Sequence, residues 1–159
     1  MKEECVTYEQ AIALKQLGFN LEVNHYYDDE KDLVESLADY NNEDSFNSQE
    51  TAYDDFNHGY CDEISCSAPT LSQAQKWLRD CKDVIVIAEP DWDEEIQCLS
   101  DYLTGKWYFT VWKDSNRVRC NFNPNKECEE IWLFDTYELA LSAGIDAALE
   151  LLTDKNNDK

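Results

Sequence analysis

Lys106-Trp107-Tyr108-Phe109-Thr110-Val111-Trp112-Lys113, Asp114-Ser115-Asn116 and Arg117-Val118-Arg119-Cys120-Asn121-Phe122-Asn123 follow one another without a break. The outer pieces are rich in β-branched and aromatic residues, and the middle piece is built from turn formers. The stretch therefore reads as an antiparallel β-hairpin. Upstream, Val84-Ile85-Val86-Ile87 is apolar on both faces, the pattern of a central strand. Helical periodicity surrounds these strands in irregular order. An antiparallel hairpin inside an irregular alternation places the chain in the α+β class: a small mixed or antiparallel sheet of about 4–5 strands packed by about 4–5 helices.

Three helix starts share a local chemistry. Thr7-Tyr8-Glu9-Gln10, Thr70-Leu71-Ser72-Gln73 and Asp135-Thr136-Tyr137-Glu138 each place a capping side chain three residues before Gln or Glu, the spacing of a capping box. In the third, Asp135 is the expected cap. The first helix is predicted over Tyr8 to Leu17, ending at Gly18. Leu21, Val23, His25 and Tyr27 then alternate with Glu22, Asn24 and Tyr26 as in a half-buried strand. A helix is predicted over Leu71 to Lys82, and another starts at Glu89-Pro90-Asp91-Trp92 and stops at Gly105. A short strand, Glu130 to Phe134, leads into a last helix, Thr136 to Leu152, with Tyr137, Leu141, Ile145, Ala148 and Leu152 on its core face. Residues 1–152 are read as a single domain with an acidic insertion over about 28–67. The polar tail 153–159 is expected to fray.

Charge is the strongest functional clue. Between Leu21 and Glu63 lie fourteen acidic residues and one basic residue, Lys31, a net −13 out of −22 for the chain. So much self-repulsion points to a field put to use on a partner. Asp28, Asp32, Glu35 and Asp39 fall at helical spacing beside Leu33, Val34 and Leu37, which predicts a helix over about 29–40 with its carboxylates on one face. Such carboxylates sit roughly 6 Å apart on a helix and ~6.6 Å apart on one face of a strand. An array of that kind can occupy the phosphate-binding groove of a protein that handles nucleic acid, whose phosphates repeat every ~3.4 Å along a strand. Asp29 is a further candidate for partner binding, and Asp54 and Asp55 form a second patch. Phe46, Tyr53 and Phe56 punctuate the polar stretch after Asn41 and are candidate anchors for a partner.

Other chemistries are poorly served. Four glycines and no glycine-rich loop argue against phosphate cradling. The seven cysteines are odd in number, and no Cys-x-x-Cys pair occurs, so His58, Cys61, Cys66, Cys120 and Cys128 lack a standard zinc spacing. His25 and His58 are the only histidines available as bases, and His25, on the face of Val23 and Tyr27, reads as a satisfied core histidine. Glu89, Asp91, Asp93, Glu94 and Glu95 are suited to gathering a divalent metal, or equally to partnering a helix dipole. No signal-peptide core opens the chain and the longest apolar run, Val84 to Ala88, is too short to span a bilayer, so a cytoplasmic protein is expected. Strong negative charge disfavours nucleic acid and anionic membranes as direct ligands.

Tyr8-Glu9-Gln10-Ala11 with Leu17-Gly18-Phe19, Ala68-Pro69-Thr70-Leu71-Ser72-Gln73-Ala74 with Trp77-Leu78-Arg79, and Phe134-Asp135-Thr136-Tyr137-Glu138 leading to Leu151 form an ordered trio. Together they resemble a group of small accessory proteins of phages and prophages of gut anaerobes. The resemblance implies an accessory protein acting in a host bacterial cytoplasm and carries over no catalytic residues. The expectation is a non-enzymatic acidic protein, without cofactor or metal. It would dock on a basic groove of a nucleic-acid-handling or defence protein as a nucleic-acid mimic and inhibitor. The alternatives are a small metal-dependent enzyme using Glu89 to Glu95, and a phage structural or assembly protein.

Overall fold

The computed structural model describes residues 3–35, 57, 64–92, 103–120 and 133–157. The class is α+β, in the order α1 (Tyr8–Gln16), β1 (His25–Asp28), β2 (Leu33–Glu35), β3 (Ile64–Ser67), α2 (Leu71–Lys82), β4 (Val84–Trp92), β5 (Leu103–Lys113), β6 (Asn116–Cys120) and α3 (Tyr137–Asn157). In place of one sheet of four or five strands, the described residues form two antiparallel sheets of three, β2-β1-β3 and β4-β5-β6, with three helices. The chain divides into two compact units, Met1–Ser72 and Gln73–Lys159.

In the first unit the capping box forms as expected. The Gln10 N–H donates to Thr7 Oγ1 at 3.3 Å, and Gln10 Oε1 accepts the Thr7 N–H at 3.0 Å. Two of the donors that a helix start leaves orphaned are thereby satisfied. Gly18 ends the turn after α1 at φ +86°, where a side chain would be strained. Val23, His25 and Tyr27 are buried, as the alternation requires. The Tyr27 hydroxyl donates to the Val6 carbonyl at 2.7 Å, and the Tyr8 ring meets the Tyr27 ring edge to face. Val6 and Leu71 donate to the carbonyls of Pro69 and Glu4, so the segment before α1 pairs with the one before α2. Asn57 spans two elements: its amide donates to Phe19 O at 2.8 Å and its carbonyl accepts the Ser67 N–H at 3.1 Å.

The helix expected over 29–40 is not formed where the chain is described. Residues 33–35 are strand β2, which pairs with β1 through His25↔Glu35, Tyr26↔Val34 and Tyr27↔Leu33. Asp28 to Asp32 make the turn. The Asp28 N–H donates to Asp32 O, and Asp28 Oδ1 accepts the Asp32 N–H at 2.8 Å. Lys31 takes φ +69°, the left-handed position that closes the loop. Aspartates with turn chemistry, joined to a pairing partner already in place, outweigh a local helical spacing. The expected insertion over 28–67 thus begins and ends in strands of this sheet.

In the second unit, α2 has the expected bounds, and Asp83 follows at φ +54° in the place glycine often takes. β4 differs from expectation in two ways. Among the described residues it is an edge strand: Val84 and Val86 are buried, while Ile85 and Ile87 are 43% and 37% exposed. It also continues through Glu89 and Pro90 to Trp92, where a helix start was expected, because Glu89↔Tyr108 and Pro90↔Trp107 extend the ladder with β5. The expected hairpin forms, but its turn is the two residues Asp114-Ser115, and Asn116, expected in the turn, opens β6 opposite Lys113. Asp114 and Ser115 have positive φ, 51° and 63°, as a two-residue turn matched to strand twist requires.

Beyond the reach of β6, Phe134 bridges Trp107 with two backbone bonds, 2.9 and 2.8 Å. Those bonds turn Trp107's polar groups away from β4. Its opposite number Pro90 therefore faces the open edge, the one side on which a missing N–H breaks no ladder bond.

α3 lies on β4 and β5 and buries Ala140, Leu141, Ile145, Ala148 and Leu149. Each large aliphatic side chain so buried contributes about 1.5–3 kcal/mol. A Cβ on Gly144 would stand 2.6 Å from Val86 Cγ1 and 3.2 Å from Phe109 Cβ, so the helix sits on the sheet at backbone distance. Tyr137, expected in the core, is 37% exposed and packs edge-on against Trp107. The cap is Thr136, whose hydroxyl accepts the Leu139 N–H at 3.2 Å. Asp135, the expected cap, instead pairs with Lys106. The helix runs on to Asn157, past the expected end at Leu152. Thr153 stays within it, its hydroxyl donating to Leu149 O and Glu150 O.

Candidate functional site

Five described acidic residues, Asp28, Asp29, Glu30, Asp32 and Glu35, fall on the β1–β2 hairpin. Asp28, Asp29, Glu30 and Asp32 stand on or beside one tight turn, and Glu35 lies three positions along β2, roughly 10 Å from Asp32. The regular helical row is therefore replaced by a knot of four carboxylates with a fifth on the strand. Asp28 is committed to building the turn, whereas Asp29, Glu30, Asp32 and Glu35 are exposed. Lys31, the one base of the segment, points its ammonium at the face of Tyr8, 4.9 Å from the ring centroid. It is held at the ring by cation–π attraction. Asp39, Phe46, Tyr53, Asp54, Asp55 and Phe56 lie outside the described residues.

The other expected constellations fare differently. His25 is buried, with Nδ1 2.8 Å from Asn24 Oδ1, but Nε2 has no hydrogen-bond partner among the described residues, so the ring is only half satisfied. Cys66 is fully buried opposite Tyr27. Glu89 and Asp91 sit on β4, not in a helix's first turn, and Asp93, Glu94 and Glu95 are outside the described residues. Among the described residues no group of three or more His, Cys, Asp or Glu is gathered to hold a metal ion.

Titration marks each unit differently. Burial, reinforced by the neighbouring Cys5, Cys66 and Glu9, holds the Tyr27 phenol above its ordinary value. In the second unit the hydrogen bonds from Lys76 and Arg79 pull Asp80 below the usual carboxylate range, and Lys106 does the same to Asp135.

A second feature went unread in the sequence. The face of β4-β5-β6 that carries Ile85 and Ile87 has a cleft of about 650 Å³. Ile85, Ile87 and Trp112 give it an apolar floor. Arg79 and Lys113 supply cations to its lining, and Asp83 and Asp114 supply anions. Trp112 is fixed by its indole N–H, which donates to Thr110 Oγ1 at 3.2 Å. The charged residues of the lining balance, two cations against two anions.

No protein-family model, curated protein or solved structure matches the chain. Among the described residues no helix is long and apolar enough to cross a membrane.

Proposed function

We propose that this is a non-enzymatic acidic binding protein that docks its β1–β2 hairpin on a basic protein surface. The class of partner is a nucleic-acid-handling or defence protein whose phosphate-binding groove it fills. The observation that carries the reading is the turn itself. Exposed carboxylates are crowded onto a loop whose backbone is tied by Asp28, and its single lysine is engaged by Tyr8. A tied loop loses little conformational freedom on binding, and a desolvated groove rich in Arg and Lys repays the crowding. The resemblance to phage and prophage accessory proteins supports the setting, a host bacterial cytoplasm where such a groove belongs to a host machine. Nothing in the described residues favours the metal-dependent reading of Glu89 to Glu95 over this one.

The test is capture of proteins from a bacterial lysate at low and high salt, with duplex DNA as competitor. The chain should retain a nucleic-acid-binding protein at low salt and release it to DNA or to high salt. The triple variant Asp29→Asn, Glu30→Gln, Asp32→Asn, which leaves the turn-building Asp28 in place, should weaken retention roughly tenfold. Retention indifferent to salt, to DNA and to the triple variant would sink the proposal.

A further inference from the structure

The cleft on the outer face of β4-β5-β6 takes no part in the acidic hairpin's role, and strand register gives it two unlike ends. Val84 pairs with Lys113, Ile85 with Trp112 and Ile87 with Thr110. Directly opposed residues of an antiparallel pair share a face, so Ile85 and Trp112 stand together, and Ile87, two residues on, extends the apolar floor along β4. The charged lining gathers at the other end. Asp83 precedes Val84, Asp114 follows Lys113 at the hairpin turn, and Arg79 comes from the last turn of α2.

That end is neutral in sum and bipolar in kind, with two cations and two carboxylates. The four do not satisfy one another directly. Arg79 is bound to Asp80, which is outside the lining, at 2.8 Å, an exposed type of pair that contributes little and exchanges readily. Lys113, Asp83 and Asp114 make no ion pair among the described residues. Charge of both signs is therefore presented to whatever enters.

Charge and shape together select the occupant. A ligand with a single charge would meet as many like charges as opposite ones. A head that carries an ammonium and a carboxylate on one carbon can set each against its opposite. About 650 Å³ is the room a small molecule takes, and such sites join an apolar floor to a few polar groups. Trp112 is already fixed by its bond to Thr110, so this part of the floor costs little ordering on binding. We infer that this cleft binds a free α-amino acid with a bulky apolar side chain. The side chain lies on Ile85, Ile87 and Trp112, the carboxylate faces Arg79 and Lys113, and the ammonium faces Asp83 and Asp114.

Titration calorimetry of the full chain with L-phenylalanine tests this. Among the matched compounds, 3-phenylpropionate lacks the ammonium, 2-phenylethylamine lacks the carboxylate, and glycine lacks the apolar body. Phenylalanine should bind saturably at one site, about fivefold more tightly than either singly charged match, and glycine should not saturate. Amide shifts should centre on Ile85, Ile87 and Trp112. Lys113→Gln should weaken phenylalanine about threefold and leave phenylethylamine unchanged. Asp83→Asn, which keeps a residue tolerant of φ +54°, should weaken phenylalanine to a similar extent and leave phenylpropionate unchanged. Absence of saturable phenylalanine binding overturns the inference, as do amide shifts centred away from the cleft. So does a singly charged match that binds as tightly, or a pair of variants that both bind phenylalanine unchanged.

Discussion

β2-β1-β3 is built from strands of three, four and four residues, whereas β4-β5-β6 uses nine, eleven and five. Both are three-stranded and antiparallel, but the first is centred on its earliest strand while the second is a meander, and the means of support differ. A sheet as short as the first is marginal by itself. Its unit is tied by directed polar bonds: the capping box of α1, the Tyr27 hydroxyl on Val6, and the Asn57 amide between Phe19 and Ser67. The second unit lays a 21-residue helix on its sheet and relies on close apolar contact. Charge follows the same division. The first unit has three basic against seventeen acidic residues, net −14, and the second ten against eighteen, net −8. The lesson is that the unit bearing the crowded charge is the one with the shorter sheet, and bonds such as those of Tyr27 and Asn57 tie its elements together.

The sharpest way to break this contrast is at Gly144. Gly144→Val drives a side chain into Val86 and Phe109 and should cost about 3 kcal/mol, the upper range for overpacking. All five tryptophans lie within residues 73–159, so their fluorescence reports the second unit alone. Its thermal midpoint should fall by roughly 12–24 °C. An unchanged midpoint would mean that the helix does not press on the sheet.

Thr7→Ala should cost the first unit about 1 kcal/mol through the lost cap. Hydrogen exchange at the α1 amides measures it, and the tryptophan signal should not move in concert unless the units unfold together.

The mildest contrast is with pH. Tyr27's folded value is raised, so its contribution is intact below the ordinary tyrosine range and is lost as pH rises through that raised value. Absorbance of phenolate during an alkaline titration should show one late-ionising tyrosine that Tyr27→Phe removes. Asp80 and Asp135 have lowered folded values, so their contribution is present above the usual carboxylate range and is lost as pH falls through the lowered values. Both are exposed, and Lys106→Met should shift the acid midpoint of the second unit only slightly.

Elements defined by their own ends were legible in the sequence. α1 between Thr7 and Gly18, α2 over Leu71 to Lys82, and the hairpin at Asp114-Ser115 carry their start and stop signals locally. What failed depended on distant partners. Leu33 and Val34 have helical neighbours in sequence, but β1 is waiting across the turn. Pro90 looks like a first helical residue until β5 pairs with it, and Asp135 looks like a cap until Lys106, 29 residues away, claims it. The candidate site was legible as charge and not as shape: the same aspartates that suggested a helical row are what make the turn. The cleft escaped notice because Val84 to Ile87 is apolar at every position, and only the sheet's edge tells which two residues are left outside.

Pro90 has one more consequence. The edge of β4 that no described strand pairs, with Ile85 and Ile87 beside it, is the kind of template on which identical chains add strand to strand and grow into fibrils. Here the Val86 carbonyl is already occupied by the Gln75 amide at 2.8 Å, and Pro90 offers no N–H to the open side. An incoming strand thus finds a short, interrupted ladder. Gln75 and Pro90 thus give this edge two of the devices that discourage strand addition.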